Sequence, residues 1–295
     1  MRKSDFSEFL SLYLSCFTED DRETAVLIFD NLLSKELLLF EERNGRIASM
    51  LSLIECTLFF KGSPKKAYYL YAACTAPEYR GLGLMGSLLK KAEKTAKKNG
   101  ICGILLKPAE ASLFDFYKNF GYKTLFFCNT ANLFLPCDSH FSPDKDAAPA
   151  REIPISKWIE KRDLLLPGLS NIFVQFNPRY LKSLLKEDRF FCDEYGNTLW
   201  AEKQGEKVTV KEILFSPASS HHAEQLLLSS VMSLNPNNAK GISVSTVPSS
   251  GNLKILKNPK TKPFGMFLPC LEDGLGRFSA TDKDFEKAYL GIAFD

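Results

Sequence analysis

Histidine is almost missing from this chain: three occur in 295 residues, and the first is His140. Imidazole acid/base catalysis and histidine-ligated metal sites are therefore excluded from residues 1–139. Paired metal-type thiols are missing too. The eight cysteines (Cys16, Cys56, Cys74, Cys102, Cys128, Cys137, Cys192 and Cys270) include no Cys-x-x-Cys pair and no histidine at ligand spacing. They read as reduced, mostly core thiols, and no metal is expected. Neither sign of charge dominates, with 38 Lys+Arg against 35 Asp+Glu and a net +3. Binding a phosphate backbone needs a clustered basic face, so no nucleic-acid partner is expected. Long apolar runs are lacking. Ala48 to Phe60 is broken by Ser49, Ser52, Glu55 and Thr57, short of the roughly 18 apolar residues a membrane helix requires. The opening Met1-Arg2-Lys3-Ser4-Asp5-Phe6 lacks the order of a secretory signal. The expectation is a cytoplasmic protein with no membrane partner.

What is present is an ordinary globular composition, 45% hydrophobic, 12% aromatic and 25% charged. A chain of 295 residues predicts about two domains. The polar, proline-rich stretch 137–150 is the candidate linker, leaving domains at 1–136 and 151–295. The first half reads as helices near 4–16 and 20–34, strands at Glu36–Glu41, Arg46–Phe60 and Ala67–Thr75, and a helix over 83–98. A strand at Ile101–Leu106, a helix over 110–119 and a strand at Lys123–Cys128 complete it. The fold class is α/β with a mixed, mostly antiparallel sheet. In the second half, strands at Val208–Phe215 and Ile242–Val247 flank a helix at Ala223–Ser233. Pro77 and Pro108 are 31 residues apart, as are Pro217 and Pro248, a constant offset of 140. Matching elements at a fixed offset predict a duplicated domain.

The informative stretch is Thr75-Ala76-Pro77-Glu78-Tyr79-Arg80-Gly81-Leu82-Gly83-Leu84-Met85-Gly86, which joins a strand to an amphipathic helix. Glycines let backbone approach a ligand, and the free N–H groups of a helix start attract phosphate. Lys90, Lys91, Lys94, Lys97 and Lys98 occupy the polar side of that helix. The stretch resembles motif A of the GNAT superfamily of acyl-CoA N-acyltransferases, with Arg80, Gly81 and Gly83 in place and Met85 where glycine or alanine is usual. Phe116-Tyr117-Lys118-Asn119-Phe120-Gly121-Tyr122 resembles motif B, with Glu110 where many members carry asparagine.

The resemblance implies acetyl-CoA as cosubstrate, its pyrophosphate on Arg80, Gly81, Leu82, Gly83, Leu84, Met85 and Gly86, and its pantetheine arm along Cys74, Thr75 and Ala76. It implies Tyr117 as the general acid that protonates the departing thiolate. Acetyl transfer also requires removal of a proton from the amine; Glu41, Glu42 and Glu55 are candidate bases. Adding 140 places Ser220, His221, His222 and Ala223 where Arg80 to Gly83 stand, with no glycine among them, so a second cofactor site is not expected. The whole looks like the tandem-GNAT proteins of bacteria, an active first domain followed by a degenerate copy. In the similar enhanced-intracellular-survival acetyltransferases the terminal carboxylate is the base, which implies Asp295 here if the tail reaches the first domain. The expected activity is N-acetylation of a primary amine on a small molecule or peptide. The alternative is a non-catalytic acyl-CoA-binding regulatory protein. A homo-oligomer is compatible with either.

Overall fold

Fifteen residues from Arg46 to Phe60 form one strand that is buried along most of its length. A strand covered by helices on both faces behaves this way, whereas a half-wet strand alternates. The computed structural model describes residues 3–31, 37–133, 150–185, 188–235, 242–247, 253–271 and 288–291. Cys137, His140, Pro248, Asp295 and all of the expected linker except Ala150 lie outside them.

In chain order the elements are α1 (Lys3–Cys16), α2 (Arg22–Asn31), β1 (Leu37–Arg43), β2 (Arg46–Phe60), β3 (Ser63–Thr75), α3 (Leu84–Lys98), β4 (Gly103–Leu106), α4 (Ala111–Lys118) and β5 (Lys123–Leu133). There follow β6 (Arg151–Glu152), α5 (Ile155–Leu169), β7 (Ile172–Phe176), α6 (Pro178–Leu184), β8 (Arg189–Cys192), β9 (Thr198–Gln204), β10 (Lys207–Leu214), α7 (Ser220–Leu234), β11 (Ile242–Thr246) and β12 (Leu256–Pro269). The fold is mixed α/β, as the residue pattern predicts. On one face of β2 and β3, Phe9 and Tyr13 of α1 and Phe29 of α2 pack on Met50, Ile54 and Tyr71. On the other, Leu88, Leu89 and Ala92 of α3 and Tyr117 of α4 pack on Leu51, Leu53 and Leu70.

All described strands join one 12-stranded sheet in the order β1-β2-β3-β4-β12-β5-β11-β10-β9-β8-β6, with β7 on β2. The unit β3, a 3₁₀ turn at Pro77–Tyr79, α3 and β4 recurs as β10, a 3₁₀ turn at Pro217–Ser219, α7 and β11. In each unit the two strands are parallel. Beyond this point the halves exchange strands. The end of β12 lies on β4, Met266↔Leu106 through Pro269↔Gly103. The end of β5 lies on β11, Asn129↔Thr246 through Leu133↔Ile242. Between them β5 and β12 pair with each other.

β6, β7, β8, β9 and β12 are strands that the residue pattern misses, and in β12 Pro259 and Pro263 argue for edge or loop. The register explains how they fit: it shifts between Lys257 and Lys260 and again between Pro263 and Gly265, so the sheet bulges next to the missing N–H groups. β5 also runs past the expected end at Cys128 to Leu133.

A buried ion pair ties the second half together. Arg162 of α5 and Glu212 of β10 are each 1% exposed. The guanidinium donates from Nε at 2.9 Å and from Nη2 at 3.2 Å to the carboxylate, which also accepts from the Tyr289 hydroxyl at 2.8 Å. Removing one partner of such a pair strands a buried charge. Glu212→Ala is expected to lower unfolding free energy by about 3–5 kcal/mol, measured by chemical denaturation; a loss below about 1 kcal/mol, the scale of an exposed pair, overturns it.

Candidate functional site

The site begins where two parallel strands part. β3 pairs with β4 only at Tyr68↔Ile104 and Tyr69↔Leu105, yet β3 continues along β2 to Thr75. Its register on β2 slips between Ser52↔Tyr71 and Met50↔Cys74, and Ala72 takes φ 52° in the slip. A bulge of this kind turns the strand and frees its backbone on the side away from β2. β3 is thus bonded to β2 while its opposite edge leaves β4.

The chain then turns through Pro77–Tyr79 and reaches α3 by Arg80–Gly83. Gly81 and Gly83 hold φ +79° and +75° with open space where a Cβ would stand, a backbone that other residues reach only with strain. Gly83 is the N-cap of α3 and no side chain caps it. The first intrahelical bond runs from Ser87 N to Gly83 O at 3.0 Å. The N–H groups of Leu84, Met85 and Gly86 therefore lack helical partners, and the positive end of the helix dipole points the same way. Gly86 is needed for space, since a Cβ would lie 2.9 Å from the Phe120 ring.

These parts enclose a cavity of about 490 Å³. Cys74, Thr75, Arg80, Gly81 and Gly83 line one side, and Leu84, Met85 and Gly86 the helix start. Tyr117, Phe116 and Phe120 close it. Two expected residues are elsewhere: Leu82 is 63% exposed, and Ala76 bonds through its N–H to Ala48 O at 2.9 Å. Tyr117 is buried, and burial pushes its hydroxyl up to about 12, so it stays protonated and able to donate at neutral pH. Arg80 folds back, donating from Nε to Thr75 O at 3.2 Å. Glu110 precedes α4 without capping it.

The candidate bases separate. Burial works against ionisation of Glu41, but hydrogen bonds from Ser87 and Lys91 hold its carboxyl below the ordinary value. At 3.0 Å from Ser87 Oγ and 3.3 Å from Lys91 Nζ it serves to anchor α3. Glu42 is exposed. Glu55 lines a different cavity, beside Lys66 and Ala67 at the opposite end of β3. The tail does reach the first half: Phe127 N donates to Ala288 O at 3.4 Å, and Leu290 Cδ2 lies 2.7 Å from where a Cβ on Gly265 would be, beside Leu106 O. Asp295 itself lies outside the described residues.

Among the described residues the second half has no comparable loop. Its 3₁₀ turn ends at Ser219 and α7 starts at Ser220, so Ser220, His221, His222 and Ala223 form a helical turn, where the first half holds an open loop. His222 stacks on Tyr195 at 3.5 Å. Among the described residues no group of three or more His, Cys, Asp or Glu could hold a metal ion.

Two groups escaped the reading of the sequence because tertiary contacts alone create them. The Tyr13 hydroxyl donates to Asp20 Oδ2 at 2.6 Å and is hydrogen-bonded to Tyr71, a chain that runs from the half-buried Asp20 to a buried tyrosine just before the bulge. Cys16, at the end of α1, donates to Thr75 O at 3.5 Å. Its hydrogen bond with Cys74 leads the effects that bring its thiol down to about 6, with burial opposing and Ser15 and Arg80 adding to the fall. Iodoacetamide labelling of Cys16 is expected to be half-maximal near pH 6. Labelling that begins only near the ordinary thiol value of about 8.5 overturns this.

Residues 1–125 match the acetyltransferase (GNAT) domain family. Among curated proteins none matches in sequence. The fold resembles a GCN5-related N-acetyltransferase from Anabaena variabilis (TM-score 0.68, 14% identity, covering 92% of this chain and 72% of the other). It also resembles Eis1 from Mycobacterium abscessus (0.63, 12% identity, 92% and 72%). Saccharomyces cerevisiae N-myristoyltransferase, solved with bound myristoyl-CoA, shares the fold over 99% of this chain and 87% of its own (0.55, 10% identity).

Proposed function

From a first half, residues 1–125, that belongs to the GNAT acetyltransferase family, we propose that the chain is an acetyl-CoA-dependent N-acetyltransferase acting on a primary amine of a small molecule or peptide. The observation that carries this reading is the cavity in which Gly81, Gly83–Gly86, the parted end of β3 and Tyr117 converge. Backbone N–H groups at the start of α3 suit a pyrophosphate, and the end of β3 at Cys74 and Thr75, which has left β4 and lines the cavity, suits the amide-rich pantetheine arm. Myristoyl-CoA bound to the yeast neighbour supports an acyl-CoA in this fold.

In this mechanism the neutral amine attacks the thioester carbonyl, a tetrahedral oxyanion forms, and the carbon–sulfur bond breaks as Tyr117 gives its proton to the leaving thiolate. The amine proton passes to a base, for which the carboxylate of Asp295 is our candidate. Gly291 is the last described residue before it. The second half, lacking the loop, supplies β12 and the walls of the acceptor side. In chain order we keep domains at 1–136 and 151–295.

Met85 favours one other reading. It lines the cavity at a position where the family carries glycine or alanine, which would suit a regulatory protein that binds acyl-CoA without turnover. Thermal shift with acetyl-CoA, followed by thiol release across polyamines, aminoglycosides and amino-acid amides, separates the two. Stabilisation without thiol release favours the regulator.

For the enzyme, Tyr117→Phe is expected to lower kcat by about 100-fold with acetyl-CoA affinity nearly unchanged; unchanged turnover removes Tyr117 from the acid role. Gly83→Val places a β-branched residue at φ +75°, costing about 1–2 kcal/mol. Calorimetric titration should show acetyl-CoA binding weakened about tenfold, and unaltered affinity would count against the loop as its seat.

A further inference from the structure

One face of β2 changes character along its length. Leu51 and Leu53 pack with Leu88 and Leu89 of α3, and Phe59 packs with Leu166 and Leu169 of α5. Between the two helices the same face carries Glu55 and Thr57. Thr57 is paired with Lys66 of β3 on one side and with Gln175 of β7 on the other. Directly opposed residues share a face, so a polar row crosses three strands. A cavity of about 370 Å³ lies over this row, lined by Glu55, Thr57, Lys66, Gln175 and, from α5, Asp163.

The charges of this cavity do not cancel. The Asp163 side chain is 35% exposed, and the Arg162 guanidinium stands 3.7 Å from its Oδ1. That guanidinium is committed to Glu212 through two hydrogen bonds, which leaves Asp163 in excess. Burial pushes the Asp163 carboxyl above its ordinary value against the pull of Arg162, so a cation brought to it is favoured. Glu55 and Lys66 are both exposed. Two carboxylates and one ammonium line the cavity, with one negative charge left over.

We propose that this cavity is a binding site for a small diamino carboxylic acid, distinct from the donor cavity. At neutral pH such a molecule carries two ammonium groups and one carboxylate, the complement of the lining group for group. Glu55 and Lys66 are diagonal neighbours on adjacent strands, and they take the α-ammonium and the carboxylate. Asp163, across the cavity on α5, takes the side-chain ammonium. A monoamine leaves one carboxylate unmatched, and a plain diamine sets a cation against Lys66. Ala67 and Ile101 supply apolar wall for the methylenes, and the volume is that of a small-molecule site.

Both halves of the chain build the site. Glu55, Thr57 and Lys66 come from the first and Asp163 and Gln175 from the second, held together by the pairing of β2 with β7. A ligand held by both stabilises the folded chain by mass action. Lys66 and Thr75 stand nine residues apart on β3, about 30 Å along an extended strand. A molecule bound here is therefore out of reach of the parted end of β3, and it binds whether or not acyl-CoA is present.

The test is calorimetric titration of the full chain, without acetyl-CoA, using three probes. These are L-lysine, cadaverine, which lacks the carboxylate, and L-norleucine, which lacks the second ammonium. L-lysine is expected to saturate one site and to bind about tenfold tighter than either of the others, a ranking read on the unmutated chain. Lys66→Gln is expected to weaken L-lysine about tenfold and leave cadaverine unchanged, and Asp163→Asn to weaken L-lysine about tenfold and leave L-norleucine unchanged. Tyr117→Phe should bind L-lysine as the unmutated chain does. Absence of saturable L-lysine binding, equal affinity for the three probes, or full affinity in both Lys66→Gln and Asp163→Asn overturns the proposal. Loss of L-lysine binding in Tyr117→Phe also overturns it, since the ligand would then sit in the donor cavity.

Discussion

The exchange of β5 and β12 is the constraint on which the rest of the molecule depends. Unpaired backbone groups inside a protein are costly, so a buried strand needs a partner on each side. β4 has β3 on one side for only two registered positions, and on the other it is completed by β12 from the far half of the chain. β11 is completed by β5 in the same manner. Neither half can close its sheet from its own residues in chain order. β3 and β4 can therefore part and leave a cavity between them, because β4 is held from its other edge by Met266–Pro269.

That exchange also reconciles duplication with asymmetry. The two halves repeat strand, 3₁₀ turn, helix and parallel strand, but only the first keeps the loop Arg80–Gly83 between turn and helix. Four residues decide it: two glycines at positive φ leave backbone N–H groups open in the first half, and a continuous helical turn consumes the same positions in the second. The buried Arg162–Glu212–Tyr289 cluster then fixes the second half as a scaffold. It holds the segment Ala288–Gly291 against β5 and β7.

The chemistry of the site is mostly backbone chemistry. A near-neutral chain of net charge +3 is consistent with that, since a helix start and a row of amides attract an anion without a basic surface. The ionisable groups that matter are few and local: a neutral Tyr117 inside the cavity, a carboxylate at Glu41 committed to anchoring α3, and a thiol brought down at Cys16.

The residues that carry local rules were legible before any coordinates. Gly81 and Gly83 announce a loop only glycine forms easily, Leu88, Leu89, Ala92 and Ala96 repeat at helical spacing, and the paired prolines mark the two 3₁₀ turns, because each of these depends on neighbours in the chain. The bulge at Ala72 carries no such signal, since an alanine at φ 52° is imposed by the packing around it. β12 was hidden by its prolines, whose tolerance depends on where the sheet slips register. The meeting of Cys16 with Thr75, and of Tyr13 with Asp20 and Tyr71, depends on how α1 is laid across β3. The sequence by itself determined the helices α1 to α4 and α7, the turn and the glycine loop, through local sterics and periodicity. Only the tertiary structure decided which strand completes β4, where Ala288–Gly291 packs and that Cys16 reaches Thr75, because those are set by burial and pairing between residues far apart in the chain.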